Sequence, residues 1–151
     1  MNIFDEFLEI IQHIEREEIR YAIVGGVAMA FYAEPRFTQD IDMLLEPNDF
    51  EKARSILEQN GYMESAEPWA FKSTPLTSHR FFKAIDNDQM IIDLLVAGDK
   101  KNLEIIGNAL IVRGEHGVAH VAGKSDIIWL KRQRNSLQDR ADIERLENGN
   151  D

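Results

Sequence analysis

Residues 21–45 read YAIVGGVAMAFYAEPRFTQDIDMLL. The apolar tetrad Tyr21 to Val24 has the composition of a short strand, and Gly25-Gly26 remove two Cβ atoms where the chain must turn. Val27 to Ala33 is alanine-rich and predicts a short helix stopped by Pro35. Ile41 to Leu45 predicts a second strand, with Asp40 and Asp42 on either side of Ile41. Residues two apart on a strand share a face, so the two carboxylates project together while Ile41 and Met43 face the opposite way.

Upstream, Phe4, Leu8 and Ile11, widened by Phe7 and Ile14, recur at helical spacing and predict an amphipathic helix over residues 3–18 with Glu15, Glu17 and Glu18 in solvent. Downstream, Glu46-Pro47-Asn48-Asp49 opens a helix whose core positions are Phe50, Ala53, Ile56 and Leu57, and Asn60-Gly61 ends it. Tyr62 to Thr77 reads as loops with one short strand near Trp69 to Phe71. Arg80 to Ile85 and Met90 to Val96 predict two strands around the turn Asp86-Asn87-Asp88. Asp99 caps a helix running to Asn108. Leu110 to Val112 and Val118 to Val121 are short strands joined by a loop holding Gly114 and Gly117. Ser125 is an N-cap for a helix to about Leu137, and Asp139 caps a last one to Leu146. The alternation of strands and helices predicts an α/β (α+β) fold, a mixed β-sheet flanked by helices, as one domain over residues 1–151 with C-terminal helices from about 125.

With no cysteine among 151 residues, disulfides, a thiol nucleophile and cysteine-ligated metals are excluded. The N-terminus is acidic and periodic, unlike a signal peptide, and no apolar segment is long enough to span a membrane, so the cytoplasm is the expected location. Seventeen basic against 27 acidic side chains leave a formal charge of −10, which opposes a surface built to coat nucleic acid. A negatively charged substrate would need a cation to meet an acidic centre.

Asp93, inside Met-Ile-Ile-Asp-Leu-Leu-Val, is the second oddity, because a carboxylate in an apolar run is costly unless it is paired or bound to a cation. Asp40, Asp42 and Asp93 converging from two strands would repel one another. Their hard oxygens suit magnesium or manganese, with substrate phosphates completing the coordination. Each residue also has a plainer reading. Asp40 could be a turn residue, Asp93 could pair with a buried arginine, and Gly25-Gly26 could only make a tight turn. The three features together favour the chemical reading.

The pattern Gly25-Gly26, then Arg36-x-Thr38-x-Asp40-Ile41-Asp42, then a strand bearing Asp93, resembles the nucleotidyltransferase superfamily of DNA-polymerase-beta-like proteins. Within it, the chain is similar to the small AbiEii-type and minimal nucleotidyltransferases of bacterial toxin–antitoxin systems. The likeness returns over Ser125 to Leu146, where Lys131 precedes Asp139-x-x-Asp142-Ile143, although the RQRNSLQ stretch between them departs from the family pattern. The resemblance implies transfer of a nucleoside monophosphate from a nucleoside triphosphate to a hydroxyl, with release of pyrophosphate. Asp40, Asp42 and Asp93 would be the catalytic and metal-holding residues for Mg2+ or Mn2+. Gly25, Gly26, Arg36 and Lys131 would serve the nucleotide. Arg36 has a second reading as an internal ion pair, and Lys131 as a solvated helix lysine. The acceptor is left open among an RNA end, a protein and a small molecule, and a toxin–antitoxin partner chain is a further candidate. The alternative function is a non-catalytic nucleotide-binding or antitoxin-like protein.

Other residues carry weaker signals. His79 and Arg80, at a strand's entry, line the acceptor side or the surface. His116 and His120 lack a third ligand, Phe81-Phe82 divides between core and surface, and Trp129 packs a helix. Lys124, Lys131, Arg132 and Arg134 form a local basic cluster.

Overall fold

The computed structural model describes residues 3–25, 28, 40–65, 68–70, 75–114 and 117–148. Helix α1 (Ile3–Arg16) buries Phe7, Ile10, Ile11 and Ile14. Leu8 is only half-buried, so the buried stripe runs through Phe7, Ile10, Ile11 and Ile14. Glu18, at φ 57, breaks the helix before strand β1 (Tyr21–Val24), all four residues of which are buried. Glu17 and Glu18 are exposed as expected. Glu15 is not solvated: its Oε1 accepts from the Tyr21 hydroxyl at 2.6 Å and lies 2.6 Å from Nδ1 of His120, tying the end of α1 to the sheet.

Strand β2 (Asp40–Leu45) leads through the 3-10 turn Pro47–Asp49 into α2 (Phe50–Gln59). The helix buries Phe50, Ala53, Ile56 and Leu57 and ends at Asn60, before Gly61 at φ +90. Two short strands, β3 (Met63–Glu64) and β4 (Trp69–Ala70), edge the long hairpin of β5 (Thr77–Ile85) and β6 (Asp88–Val96). The hairpin turn holds Asp86 and Asn87 alone, with Asp86 at φ 55, and Asp88 pairs with Ile85. Helix α3 (Lys100–Gly107) follows, capped by the Asp99 carboxylate, which accepts from the Asn102 amide. The strands β7 (Leu110–Gly114) and β8 (Gly117–Val121) close the sheet, and α4 (Lys124–Arg134) and α5 (Leu137–Asn148) end the fold.

The mixed eight-stranded sheet runs β3-β5-β6-β2-β1-β8-β7, with β4 on the free length of β5. Strand β2 is the hinge of the pattern, antiparallel to β1 and parallel to β6. Side-chain alternation then assigns the faces. Lys83 of β5 donates to Glu6 of α1, and the His79 ring stacks 4.2 Å from Phe50 of α2, so these helices cover the face shared by the odd-numbered residues of β5. Arg80 has the opposite parity and reaches Asp93 on the other face. Ile41, Met43, Ile92 and Leu94 pack into the core from the helix-covered side, leaving Asp40, Asp42 and Asp93 on the opposite one. The helix expected over residues 27–33 lies outside the described residues, except Ala28, which is helical and buried.

The C-terminal helices divide differently from expectation. Helix α4 starts at Lys124 with Gly123 as N-cap and stops at Arg134, where Asn135 takes a left-handed conformation at φ 53. Asn tolerates this conformation better than most residues. The next residue, Ser136, caps α5. Its hydroxyl accepts from the Asp139 amide at 3.0 Å, while the Asp139 carboxylate accepts from the Ser136 amide at 3.0 Å. Asp139 is thus the reciprocal member of a capping box rather than the cap itself.

Candidate active site

The pairing register assembles the centre. Asp42 lies directly beside Asp93 in the parallel β2–β6 ladder, Arg80 is the antiparallel partner of Asp93, and Val24 of β1 pairs with Asp42. Val24, Asp42, Asp93 and Arg80 therefore form one row across four strands on the face opposite α1. Asp40 stands two residues before Asp42 on the same side. Sequence reasoning on Asp40, Asp42 and Asp93 is a statement about faces, and all three do share one.

Gly25 follows β1 directly after Val24, where the strand has ended. Its φ is +76, and a Cβ built there would collide with the Asp42 carboxylate. The missing side chain admits both a left-handed turn and the close approach of an acidic group to the backbone. Gly26, Arg36 and Thr38 lie outside the described residues.

Asp42 is half-buried, and its carboxyl is pushed up to about 7. Loss of water is the main cause, followed by the charge of Asp93, which Arg134 opposes; a hydrogen bond with Asp93 and the charge of Asp40 raise it further. A carboxylate held this way is one that positive charge would stabilise. Asp93 is only 5% exposed and answers the same problem with a partner. The Arg80 guanidinium donates from Nε to one oxygen at 2.8 Å and from Nη2 to the other at 2.9 Å, a two-pronged, charge-assisted pair. That bond holds the Arg80 guanidinium more firmly protonated than usual against the opposing effect of burial, with further support from the charges of Asp93, Asp40 and Asp42.

On this face the donor chemistry suits a hard divalent cation, since Asp40 and Asp42 offer hard carboxylate oxygens on one side of the sheet. Among the described residues, no three acidic or histidine side chains stand arranged as a ready ligand set. At Asp93 the Arg80 guanidinium donates to both oxygens.

The α4–α5 hairpin supplies the remaining charge. Arg134 grips Asp139 through Nε at 2.8 Å and Nη2 at 2.6 Å, and lies close enough to Asp42 to oppose the rise of its pKa. Lys131 is 4% exposed, so it is not a solvated helix lysine. Its ammonium donates to Asp142 at 2.9 Å and lies 4.0 Å from Asp139. The hairpin thus buries Lys131 with two carboxylates, while the more exposed Arg134 lies within electrostatic reach of Asp42.

Arg80 is the residue that sequence reasoning misplaced. Reading Asp86-Asn87-Asp88 as the turn shifts the hairpin by one residue and leaves Arg80 at a strand's entry. With a two-residue turn, counting back from Ile85 and Asp88 brings Arg80 opposite Asp93, so the signal was present in the turn length. His79 faces away, packed on Phe50 with its Nδ1 3.1 Å from Glu64.

The profile of a family described as uncharacterised nucleotidyltransferases matches residues 1–138. No curated protein matches the chain. Among solved structures, the chain is similar to the lincosamide antibiotic adenylyltransferase LnuA in its lincomycin-bound form, with a TM-score of 0.64 and 14% identity over 95% of this chain and 96% of that one. A putative nucleotidyltransferase from Thermotoga maritima is similar at a TM-score of 0.65 and 13% identity, over 96% and 92%. The antibiotic-resistance factor ANT(2'')-Ia is similar at 0.55 and 17%, over 97% and 83%. These likenesses show that the chain shares the fold of these solved structures.

Proposed function

This chain belongs to the family of uncharacterised nucleotidyltransferases, and on that premise we propose that it moves a nucleoside monophosphate from a nucleoside triphosphate to a hydroxyl acceptor. The observation that carries this reading is the row that sets Asp42 beside Asp93 with Asp40 on the same face. Asp40 and Asp42 would hold Mg2+ or Mn2+, with Asp93 joining them. When bound, the cation supplies charge neutralisation at the phosphates of the nucleotide. Asp93 would orient the acceptor hydroxyl and take its proton. The acceptor oxygen forms a bond to the α-phosphorus, the bond from that phosphorus to the bridging oxygen breaks, and pyrophosphate leaves with the electron pair. The protein's work is mainly positioning and electrostatics.

Gly25 and Gly26 would bring backbone amides to the phosphates, and Arg36 and Lys131 would add positive charge. For Lys131 this requires exchanging Asp142 for phosphate. Arg134 already lies within electrostatic reach of Asp42. A small hydroxylated molecule is the favoured acceptor over an RNA end, because a net charge of −10 repels a polyanion. Two similar structures, an adenylyltransferase bound to lincomycin and an antibiotic-resistance factor, point the same way.

Incubating the protein with α-labelled ATP, CTP, GTP and UTP, magnesium and a cell extract tests the reading. Label should pass to an acceptor, and Asp42→Asn should lower transfer by roughly 100-fold or more, the scale of losing one charge-stabilising group. Equal transfer by the variant would remove Asp42 from the site.

One observation favours a second reading. Asp93 is held by Arg80, which would suit a protein that keeps the fold and binds nucleotide or a partner chain, antitoxin-like, without chemistry. That protein would transfer no label and would keep a partner on size-exclusion chromatography despite Asp42→Asn.

A further inference from the structure

We propose that Arg80 is an exchangeable internal cation: it holds Asp93 while the acidic row is empty and gives that carboxylate up when a divalent cation arrives. The proposal rests on the nucleotidyltransferase reading for the identity of that cation. Three observations support the exchange. Both oxygens of Asp93 are engaged by the one guanidinium, at 2.8 and 2.9 Å, so Arg80 and an arriving cation would compete for the same carboxylate. The two partners are unequal, since the Arg80 side chain is 42% exposed and that of Asp93 only 7%. Arg80 can therefore swing into water at little cost, whereas Asp93 left alone would be a nearly buried charge beside Asp42. Finally, Arg80 stands on the same row as both carboxylates, so its withdrawal removes a positive charge from beside the acidic centre.

Competition of this kind makes cation binding weaker than the carboxylates alone would allow. It also keeps Asp93 oriented in the cation-free protein. Arg80 is in this sense a positioning residue for Asp93, and its effect must pass through that carboxylate.

The test is Mn2+ binding to the intact protein, followed by electron paramagnetic resonance of free Mn2+, together with thermal melting with and without the ion. Arg80→Gln should bind Mn2+ about tenfold more tightly than wild type. It should melt lower than wild type without Mn2+ and recover most of that difference with it. Arg80→Lys, whose single ammonium cannot span both oxygens, should fall between the two. In an Asp93→Asn background, Arg80→Gln should leave Mn2+ affinity unchanged. If the tightening persists undiminished in that background, Arg80 acts only through its general field and the exchange is wrong. Unchanged or weaker Mn2+ binding by Arg80→Gln in the native background would also overturn it. Absence of Mn2+ binding by every form would sink the nucleotidyltransferase reading as well, whereas binding indifferent to Arg80 would sink the exchange alone.

Discussion

At position 25 a single methyl group separates two outcomes. Gly25 sits at φ +76 with the Asp42 carboxylate resting where a Cβ would be. Alanine there incurs about 1–2 kcal/mol for the left-handed backbone and must also displace Asp42. Gly25→Ala is therefore expected to lower the urea midpoint and to abolish nucleotide transfer, since relief of the collision moves a proposed cation ligand. A variant with wild-type stability and transfer would show that the close approach is dispensable. The same residue-scale logic separates Asp42 from Asp93. Arg80 pairs directly with Asp93, whereas at Asp42 the charge of Arg134 opposes the loss of water without cancelling it, and the Asp42 carboxyl is pushed up to about 7.

Among the elements, the α4–α5 hairpin shows how a polar turn can be built into a core. Lys131, Asp139 and Asp142 are all buried there, and each finds a partner within the hairpin. Burial would raise the Asp139 carboxyl, but hydrogen bonds from Arg134 and Ser136 outweigh it and hold the group at about 2. A carboxyl whose folded pKa is depressed stabilises the protein above its unfolded value, near 3.9, and that stabilisation drains away as pH falls toward 2. The displacement corresponds to about 2 kcal/mol. Asp139→Asn should thus lose stability at pH 7 and show a smaller further loss than wild type between pH 4 and 2, read from urea midpoints. Parallel pH profiles for the two proteins would mean that the Arg134–Asp139 pair contributes no net stability. Sequence periodicity located both helices but not the break between them. Asn135 and Ser136 look like ordinary polar helix residues until the second helix has to double back on the first.

For the whole molecule, the proposed chemistry predicts a global effect. A ligand that binds only the folded state stabilises it by mass action, about 2.7 kcal/mol at a hundredfold excess over Kd. Magnesium with a nucleoside triphosphate should accordingly raise the melting temperature of wild type by several degrees and that of Asp42→Asn by much less. No shift in wild type with any of the four nucleotides would count against a nucleotide site on this face. Among the described residues, no helix is long and apolar enough to cross a membrane.

What the sequence determined by itself was local. Apolar spacing placed α1 and α2, apolar runs placed β1, β2 and β6, and parity alone put Asp40 and Asp42 on one face, because helix and strand periods are properties of the chain. Capping at Asp99 and termination at Asn60-Gly61 were legible for the same reason. Tertiary structure decided everything that depends on which strands are neighbours. It set Asp93 beside Asp42, gave Asp93 to Arg80, laid Gly25 against Asp42 and brought Arg134 within electrostatic reach of Asp42. Strand order and register follow from packing whole apolar faces together, and a one-residue difference in the Asp86-Asn87 turn was enough to move Arg80 from a strand's edge to the centre of the site.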